Sequence, residues 1–288
     1  MRLTAIGTSG SFPGPTSAAS CYLLEAEAGG RTHRILLDLG SGALGALQAH
    51  CSPAQIDAVV LTHLHPDHCL DVTGLYVHRC YDPDHFFTTG EPGGGRAALP
   101  VWGPAGTERR LAAAYHTDPG LSPCAEQAHE TDLTTVFAFH DITPGARFEV
   151  GPFAIESFLV DHPVEAYALR VTGPDGGVLT YSGDSDECEA LVAAARDADV
   201  FLCEAAFQED RDTVRGIHLT GLRAGRVATA AAARALVLTH IPPWTDTGTV
   251  RAEAAAEFAG PIGVAAPGGA WTIDPVPAAG RPTFEETR

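Results

Sequence analysis

The chain has 288 residues, of which 45% are hydrophobic, and this is enough apolar material for a substantial core. Its 36 acidic residues face only 18 basic ones, all of them arginine, and the net charge of −18 repels polyanions at long range. Broad nucleic-acid binding is therefore disfavoured, whereas a local positive pocket around bound metal ions could still accept a small phosphate ester.

The elements predicted for the first half of the chain form a β-rich start followed by helices and loops. Asp38 ends the third strand before a glycine turn, where it is either a turn residue or a brace for a metal ligand. Residues 78–133 carry no clear functional signal, and we expect them to supply pocket walls together with 9–20. The predicted strands and helices are strands at 3–6, 21–26, 34–39, 58–62 and 99–102, a helix through Leu44, Leu47 and Gln48, a helix from His68 toward Val77, and a helix at 107–114 capped by Thr107.

The second half alternates strands and helices, which is typical of an α/β protein. Two of its strands are joined by a tight turn at 173–176. The strings Val59–His63 and Leu236–His240 are nearly identical, and each predicts a buried strand with histidine at its carboxyl end, where ligands commonly collect. The predicted elements are strands at 134–139, 153–160, 166–172, 177–182, 200–204 and 235–239, and helices at 186–196 and 221–233.

The densest chemical signal is the run Thr62-His63-Leu64-His65-Pro66-Asp67-His68. Side chains two apart on an extended chain share a face, so His63 and His65 are expected to point the same way. Pro66 suits a helix start, from whose first turn Asp67 and His68 would face the same place. Imidazole and carboxylate are ligands that zinc prefers, and the spacing favours metal binding over a set of solvated surface histidines.

Other histidines and carboxylates at predicted strand ends complete a larger set of seven. This number suits two metal ions with an open position for a shared water, whose pKa the ions would lower. The ions are predicted to be joined by Asp184 and otherwise held by His63, His65 and His162 for one, and by Asp67, His68 and His240 for the other.

Two further residues suggest proton transfer. His218 precedes a predicted helix, and Glu204 ends a predicted strand. A carboxylate can orient a histidine and raise its pKa, so that it donates a proton to a leaving alkoxide. The alternative is that His218 merely precedes a helix start and Glu204 pairs with an arginine. The predicted catalytic residues are Asp67, His218 and Glu204.

The metallo-β-lactamase superfamily, and most of all its ribonuclease Z branch, has motifs that resemble the segments of this chain around 62–68, His162, Asp184, Glu204, His218 and His240, in the same order. The resemblance extends from Gly7 to about Val264. The resemblance implies an αββα four-layer sandwich and a dimer. We expect a single domain over 1–275, followed by a flexible tail at 276–288. The resemblance also implies two zinc ions, although Mn²⁺ or another divalent ion suits the same ligands, and phosphodiester hydrolysis with His218 as the acid and Glu204 as its partner.

Within this branch, the strings at 37–48 and 238–244 resemble those of actinobacterial cyclic-nucleotide phosphodiesterases. The short turn at 173–176 also leaves no room for the protruding RNA-binding arm of transfer-RNA processors. We therefore expect a phosphodiesterase for a small substrate, a cyclic nucleotide such as cyclic AMP, in which the water held by the metal ions attacks phosphorus.

Three other functions remain open from the sequence. The first is a ribonuclease Z-like endonuclease acting on the 3′ ends of transfer RNA. The second is a lactone, lactam or thioester hydrolase of the same superfamily, although Asp161-His162-Pro163 replaces the Gly-His-Thr string of many such enzymes. The third is a non-enzymatic scaffold stabilised by metal.

The cysteine content and the chain start indicate a cytoplasmic protein. The seven cysteines are odd in number, scattered, and without a Cys-x-x-Cys pair, as expected in a reducing compartment. The chain begins with a strand and a glycine-rich turn rather than a basic segment followed by a long apolar one. We expect no signal peptide and no membrane span.

Overall fold

Two β-sheets lie at the centre of the structure, a computed structural model that describes residues 1–82, 95–116 and 132–275. The first sheet consists of β1 (Arg2–Ser9), β2 (Ala18–Ala19), β3 (Cys21–Ala28), β4 (Arg31–Leu37), β5 (Ala58–Val60), β6 (Leu99–Gly103), β7 (Phe137–Asp141) and β15 (Ala270–Thr272). Its strand order is β15-β1-β3-β4-β5-β6-β7, and β2 pairs with β1.

The second sheet has seven strands in the order β14-β13-β12-β11-β10-β9-β8. It consists of β8 (Arg147–Val150), β9 (Phe153–Leu159), β10 (Tyr167–Thr172), β11 (Val178–Tyr181), β12 (Val200–Glu204), β13 (Leu236–Thr239) and β14 (Ile262–Val264). Strand β10 is antiparallel to both β9 and β11, and β11, β12 and β13 are parallel. The strands β9, β11, β12 and β13 therefore end at the same edge of the sheet.

Helices cover the outer face of each sheet. The first sheet packs against α1 (Ala43–Leu47), α2 (Pro66–Cys69), α3 (Val72–Tyr81) and α4 (Thr107–Tyr115), and the second against α5 (Glu189–Ala195), α6 (Gly221–Ala230) and α7 (Thr247–Glu257). Because successive side chains of a strand point to opposite faces, alternate residues pack either into the core between the two sheets or against the helices. In β5, Val59 packs toward the helices while Ala58 and Val60 face the other sheet.

The core between the sheets draws residues from both. Leu24 and Val60 of the first sheet lie in one buried cluster with Phe153, Leu169 and Val237 of the second. This continuous core confirms the predicted four-layer α/β architecture and single domain. The predicted tail at 276–288 and parts of 78–133 lie outside the described residues.

Several predicted boundaries are wrong. Thr107 does not cap α4: Gly106, with φ of +85°, occupies that position, and the Thr107 hydroxyl donates to the Pro104 carbonyl instead. The helix predicted from His68 is split into α2 and α3, and the one predicted to reach 233 ends at Ala230. The strand predicted at 134–139 begins only at Phe137, because a 3₁₀ turn occupies Leu133–Thr135.

Other elements carry too little sequence signal to be predicted. The strands β8, β14 and β15 are three or four residues long, and α7 alternates small and charged residues without a clear apolar stripe. No helix within the described ranges is long and apolar enough to cross a membrane.

Candidate metal centre

The site lies where the strands of both sheets end. His63 follows β5 of the first sheet, while His162, Asp184 and His240 follow β9, β11 and β13 of the second. Glu204 is the last residue of β12. Because these four strands of the second sheet end at one edge, His162, Asp184, Glu204 and His240 meet there, and His63 reaches the same place from the first sheet.

Within the 62–68 run, the chain turns from strand to helix as the sequence predicts. His65 is the residue before α2, with Pro66 at the first helical position, and Asp67 and His68 are buried in the first turn. His63 Nε2 and His65 Nδ1 lie 3.0 Å apart, so these two imidazoles converge.

The first cluster of possible metal ligands contains His63, His65, His162 and Asp184, whose nearest ligand atoms all lie within 4.8 Å of one another. The Nδ1 atom of His65 lies 3.2 Å from Nε2 of His162. His63 Nε2 is 3.6 Å from Asp184 Oδ2. This set matches the predicted first ion site together with the predicted bridging carboxylate.

The second cluster contains Asp67, His68, Asp184 and His240, also with ligand atoms within 4.8 Å of one another. Asp184 lies at its centre, with Oδ1 3.1 Å from His68 Nε2 and Oδ2 3.3 Å from His240 Nε2. Asp67 Oδ2 is 3.6 Å from His68 Nε2 and 3.8 Å from His240 Nε2. The structure thus brings all seven predicted ligands into two groups that share Asp184.

The chemistry of these groups fits divalent metal ions. Among the described residues, His68 Nε2, His240 Nε2 and Asp184 Oδ1 are buried without a hydrogen-bond partner, although buried polar atoms are normally satisfied. They face one another, and a cation between them would satisfy all three. Burial and repulsion from His68 lower the pKa of His63 well below its usual value, which favours the neutral, ligating imidazole.

Hydrogen bonds to Nδ1 orient three of the imidazoles, on the side of each ring that faces away from the cluster. Asp38 Oδ2 lies 2.7 Å from Nδ1 of His68, which leaves Nε2 of that ring toward the cluster. In the same way, Ser20 Oγ contacts Nδ1 of His240 at 2.9 Å and the Ile217 carbonyl contacts Nδ1 of His162 at 2.9 Å. Such partners fix the ring orientation of metal-binding histidines.

Asp38 itself is held by several donors. It accepts hydrogen bonds from the Thr62 backbone N–H at 2.8 Å and from the Tyr181 hydroxyl at 2.8 Å. Of the two roles open to Asp38 from the sequence, the structure therefore supports the brace for a candidate ligand.

Two non-glycine residues of the site have left-handed backbone conformations. Asp38 has φ of +58° and His240 has φ of +55°. This conformation costs roughly 1–2 kcal/mol for ordinary residues and persists where the surrounding contacts enforce it. Both residues are fully buried, so the fold places their side chains at the cluster at the expense of backbone energy.

His218 and Glu204 form an ion pair beside the clusters. His218 Nδ1 lies 2.8 Å from Glu204 Oε1. Glu204 also accepts the backbone N–H groups of Ser185 and Ala206, at 2.9 and 3.0 Å. Burial alone would lower the pKa of His218, but the Glu204 carboxylate outweighs it and raises the pKa to about 9.

The His218 ring is a neighbour of both groups of candidate ligands. Its centroid lies 5.6 Å from that of His162 and 5.5 Å from that of His240. Glu204, His218 and Asp184 also form a third group with ligand atoms within 4.8 Å. His218 therefore has two chemical options, a proton donor held by Glu204 or a further ligand.

A buried ion pair fixes the segment that carries His218. Arg223 of α6 donates from Nη1 to Asp186 Oδ1 at 2.9 Å and to the His218 carbonyl at 3.3 Å. Asp186 also accepts the Gly216 N–H at 2.8 Å and pairs through its backbone with Asp161, next to His162. One ion pair thus joins the loops that carry Asp184, His162 and His218.

Apart from Asp38, the residues that orient the candidate ligands were not predicted from the sequence. Thr62 begins the 62–68 run but received no role there, Tyr181 received none either, and Ser20 is 220 positions away from His240 along the chain. Their roles depend on how the two sheets meet.

Comparison with known proteins identifies the family. The family model described as Beta-lactamase superfamily domain matches residues 33–241, a span that contains every candidate ligand. The chain belongs to this superfamily.

Relatives in the superfamily match nearly the whole chain. The Uncharacterized protein ML1173 of Mycobacterium leprae is 44% identical over 91% of this chain and 85% of its own length. The Probable metallo-hydrolase YhfI of Bacillus subtilis is 31% identical over 94% and 99%. The Ribonuclease Z of Myxococcus xanthus is 28% identical over 92% and 95%.

The crystal structure of the metallo-beta-lactamase fold protein YhfI from Bacillus subtilis has the same fold. It superposes with a TM-score of 0.75 at 28% sequence identity and covers 94% of this chain and 99% of that one. The resemblance to the superfamily and to its ribonuclease Z branch, inferred from the sequence, is thereby confirmed. The relatives support a metallo-hydrolase with a histidine and aspartate metal site.

Proposed function

We propose that this protein is a phosphodiesterase with two zinc ions that hydrolyses a small phosphodiester, a cyclic nucleotide such as cyclic AMP. The observation that carries the proposal is the pair of ligand groups that share Asp184, with the Glu204–His218 pair directly beside both. Two adjacent metal sites suit an in-line displacement at phosphorus, because both the attacking and the leaving oxygen need stabilisation.

Zinc, when bound by the seven residues assigned to it, would lower the pKa of the attacking water and polarise the phosphoryl group. The chain supplies the orientation. Asp38, Ser20 and the Ile217 carbonyl hold three of the imidazoles so that Nε2 points inward. Asp67 presents Oδ2 toward His68 and His240, and we assign to this carboxylate the orientation of the attacking water.

His218 is assigned the proton donor for the leaving oxygen. Its Nδ1 is engaged by Glu204, so Nε2 is the atom available to a substrate. When the bond from phosphorus to the leaving oxygen breaks, the Nε2 proton moves to that oxygen and His218 becomes a neutral imidazole. Glu204 stabilises the imidazolium before the transfer and holds Nδ1 of the neutral ring after it. Glu204 is well suited to this because its other contacts are backbone N–H groups.

A small substrate is favoured over transfer RNA by two features. Strand β10 connects to β11 through residues 173–177 alone, so no arm projects between His162 and Asp184. The net charge of −18 opposes a long polyanion but does little to one phosphodiester held at metal ions. The ribonuclease Z relative nevertheless makes precursor transfer RNA the second substrate to test.

The test begins with zinc-loaded protein and three substrate classes. Rates are measured with cyclic AMP, a precursor transfer RNA and a lactone, and we expect hydrolysis of cyclic AMP only. Cleavage of the RNA alone would assign the ribonuclease function. Ester hydrolysis alone would assign the lactone class, and no hydrolysis at full zinc content would support the scaffold.

The role of His218 is tested by His218→Ala. Because a positioned acid contributes about 100-fold or more, kcat is expected to fall by that factor while zinc content stays unchanged. The control is His50→Ala, which removes an exposed histidine three residues after α1 and should leave both quantities unchanged. Loss of zinc in His218→Ala would show instead that His218 is a ligand.

A further inference from the structure

We propose that Phe12 and Trp244 form an aromatic shelf that stacks against the nucleobase of the substrate. This inference rests on the proposed function and names the part of the substrate that determines specificity. The two rings contact each other, with centroids 5.2 Å apart and planes inclined by 43°. They belong to two loops at the metal centre, one after β1 and one after β13.

Both loops lie close to the candidate ligand His240: one follows it in the chain, and the other packs against it. Trp244 lies four residues after His240. On the other loop, the Gly10 backbone packs so tightly that a Cβ there would lie 2.3 Å from the His240 carbonyl oxygen and 3.0 Å from Cδ2 of its ring. Phe12 is only two residues further along, so the shelf adjoins the second ligand group.

The shelf is held in place by its own turns. The Ser9 hydroxyl donates to the Phe12 carbonyl at 2.7 Å, and the Phe12 N–H donates to the Gly10 carbonyl at 2.8 Å. On the opposite loop, the Thr245 N–H donates to the Pro242 carbonyl at 2.9 Å. The backbone that carries both rings is therefore ordered before any substrate arrives, which lowers the entropic cost of binding.

Solvent exposure separates these rings from core residues. Phe12 is 46% exposed and Trp244 is 59% exposed, so neither ring is buried by the fold. Val164, two residues after His162, and Val214, four residues before His218, are 40% and 53% exposed, so four loops that carry or adjoin site residues present an exposed apolar side chain; these four side chains are called the apolar rim. Exposed apolar groups concentrated around a polar centre are typical of a binding surface.

The position of the shelf identifies its occupant. A phosphodiester held by the metal groups must direct its organic part away from the charged centre, toward this rim. Among the parts of a nucleotide, the base has a flat aromatic face, and such faces stack on aromatic side chains with little dependence on which base is present. We therefore assign the shelf to the base and expect tolerance of both purine and pyrimidine cyclic nucleotides.

The test compares cyclic AMP with ribose 3′,5′-cyclic phosphate that carries no base. In Trp244→Ala and Phe12→Ala, KM for cyclic AMP is expected to rise on the order of 5- to 150-fold, the equivalent of about 1–3 kcal/mol of base stacking. The kinetics with the base-free probe should stay as in the original protein. Trp244→Phe keeps an aromatic face and should restore most of the affinity for cyclic AMP.

Three results would overturn the shelf. One is an equal change of KM for both probes in the alanine variants. Another is equal KM values for the two probes in the unaltered protein, which would leave the phosphodiesterase proposal intact. The third is unchanged kinetics with a shift from dimer to monomer in sedimentation, which would assign the rings to a second copy of the chain. Hydrolysis of neither probe by the unaltered protein would instead reject the proposed function.

Discussion

Asp38 is the residue on which the orientation of His68 depends. Its carboxylate contacts Nδ1 of His68 at 2.7 Å and accepts hydrogen bonds from Thr62 and Tyr181, all fully buried. The left-handed φ of +58° brings the carboxylate into this position.

Replacing Asp38 by Asn should weaken metal binding. The amide keeps one acceptor oxygen but turns an N–H₂ group toward existing donors, so His68 loses its fixed orientation. Partners of this kind contribute about 10- to 100-fold to metal affinity. Zinc affinity, measured by competition with a chelator, is expected to fall by that factor. The matched control is Asp175→Asn, at a side chain 72% exposed, and equal affinities in both variants would contradict the role of Asp38.

Single residues differ in how far the sequence reveals them. The 62–68 cluster is visible because its ligands are adjacent in the chain and their spacing suits a strand followed by a helix. The partners of its histidines are not visible, since Ser20 and Tyr181 approach the site only after the sheets have packed. Phe12 and Trp244 likewise look like ordinary apolar residues until their exposure is known.

At the level of elements, strands with strong apolar runs were predictable and short or capped elements were not. The similar strings ending in His63 and His240 form β5 and β13, one in each sheet, because buried parallel strands need continuous apolar residues. Thr107 is not the cap because Gly106, in a left-handed conformation, holds the cap position and makes Thr107 the first residue of the helix. Helix α7 is capped by Asp246, a signal that local pattern alone did not distinguish from a loop aspartate.

Helix α6 offers a test of the ion pair that joins three site loops. Arg223→Met removes the buried guanidinium from Asp186 and from the His218 carbonyl. Because Asp186 keeps Arg215 Nε at 2.8 Å, we expect a cost of about 1.5–3 kcal/mol of the free energy of unfolding. Arg226→Met, three residues along the same helix, removes only a surface pair with Glu257 and should cost at most about 1 kcal/mol. Urea denaturation of the zinc-loaded variants measures both, and equal losses would contradict the account.

At the scale of the whole molecule, the site joins the two halves of the sandwich. The ligand group at 63–68 belongs to the first sheet and its helices, whereas His162, Asp184 and His240 belong to the second sheet. This arrangement explains why the site could be predicted as a list of residues but not as a geometry. The list follows from local strings, and the distances follow from the packing of the shared core.

Metal removal should therefore destabilise the entire fold. Ions bound only by the folded chain stabilise it, by about 2.7 kcal/mol at a free concentration 100 times the dissociation constant. The thermal midpoint of chelator-treated protein is expected to lie below that of the zinc-loaded form and to rise with added zinc. Magnesium, which prefers oxygen ligands, should produce little shift. An identical midpoint with and without zinc would place the ions outside the folded core.

We propose that two metal ions act together at the shared Asp184. The most direct measurement is the rate of cyclic AMP hydrolysis as metal-free protein is titrated with zinc. We expect little activity at the first equivalent per chain and full activity only near the second. Full activity at one equivalent, or no hydrolysis at any zinc content, would contradict the two-metal phosphodiesterase.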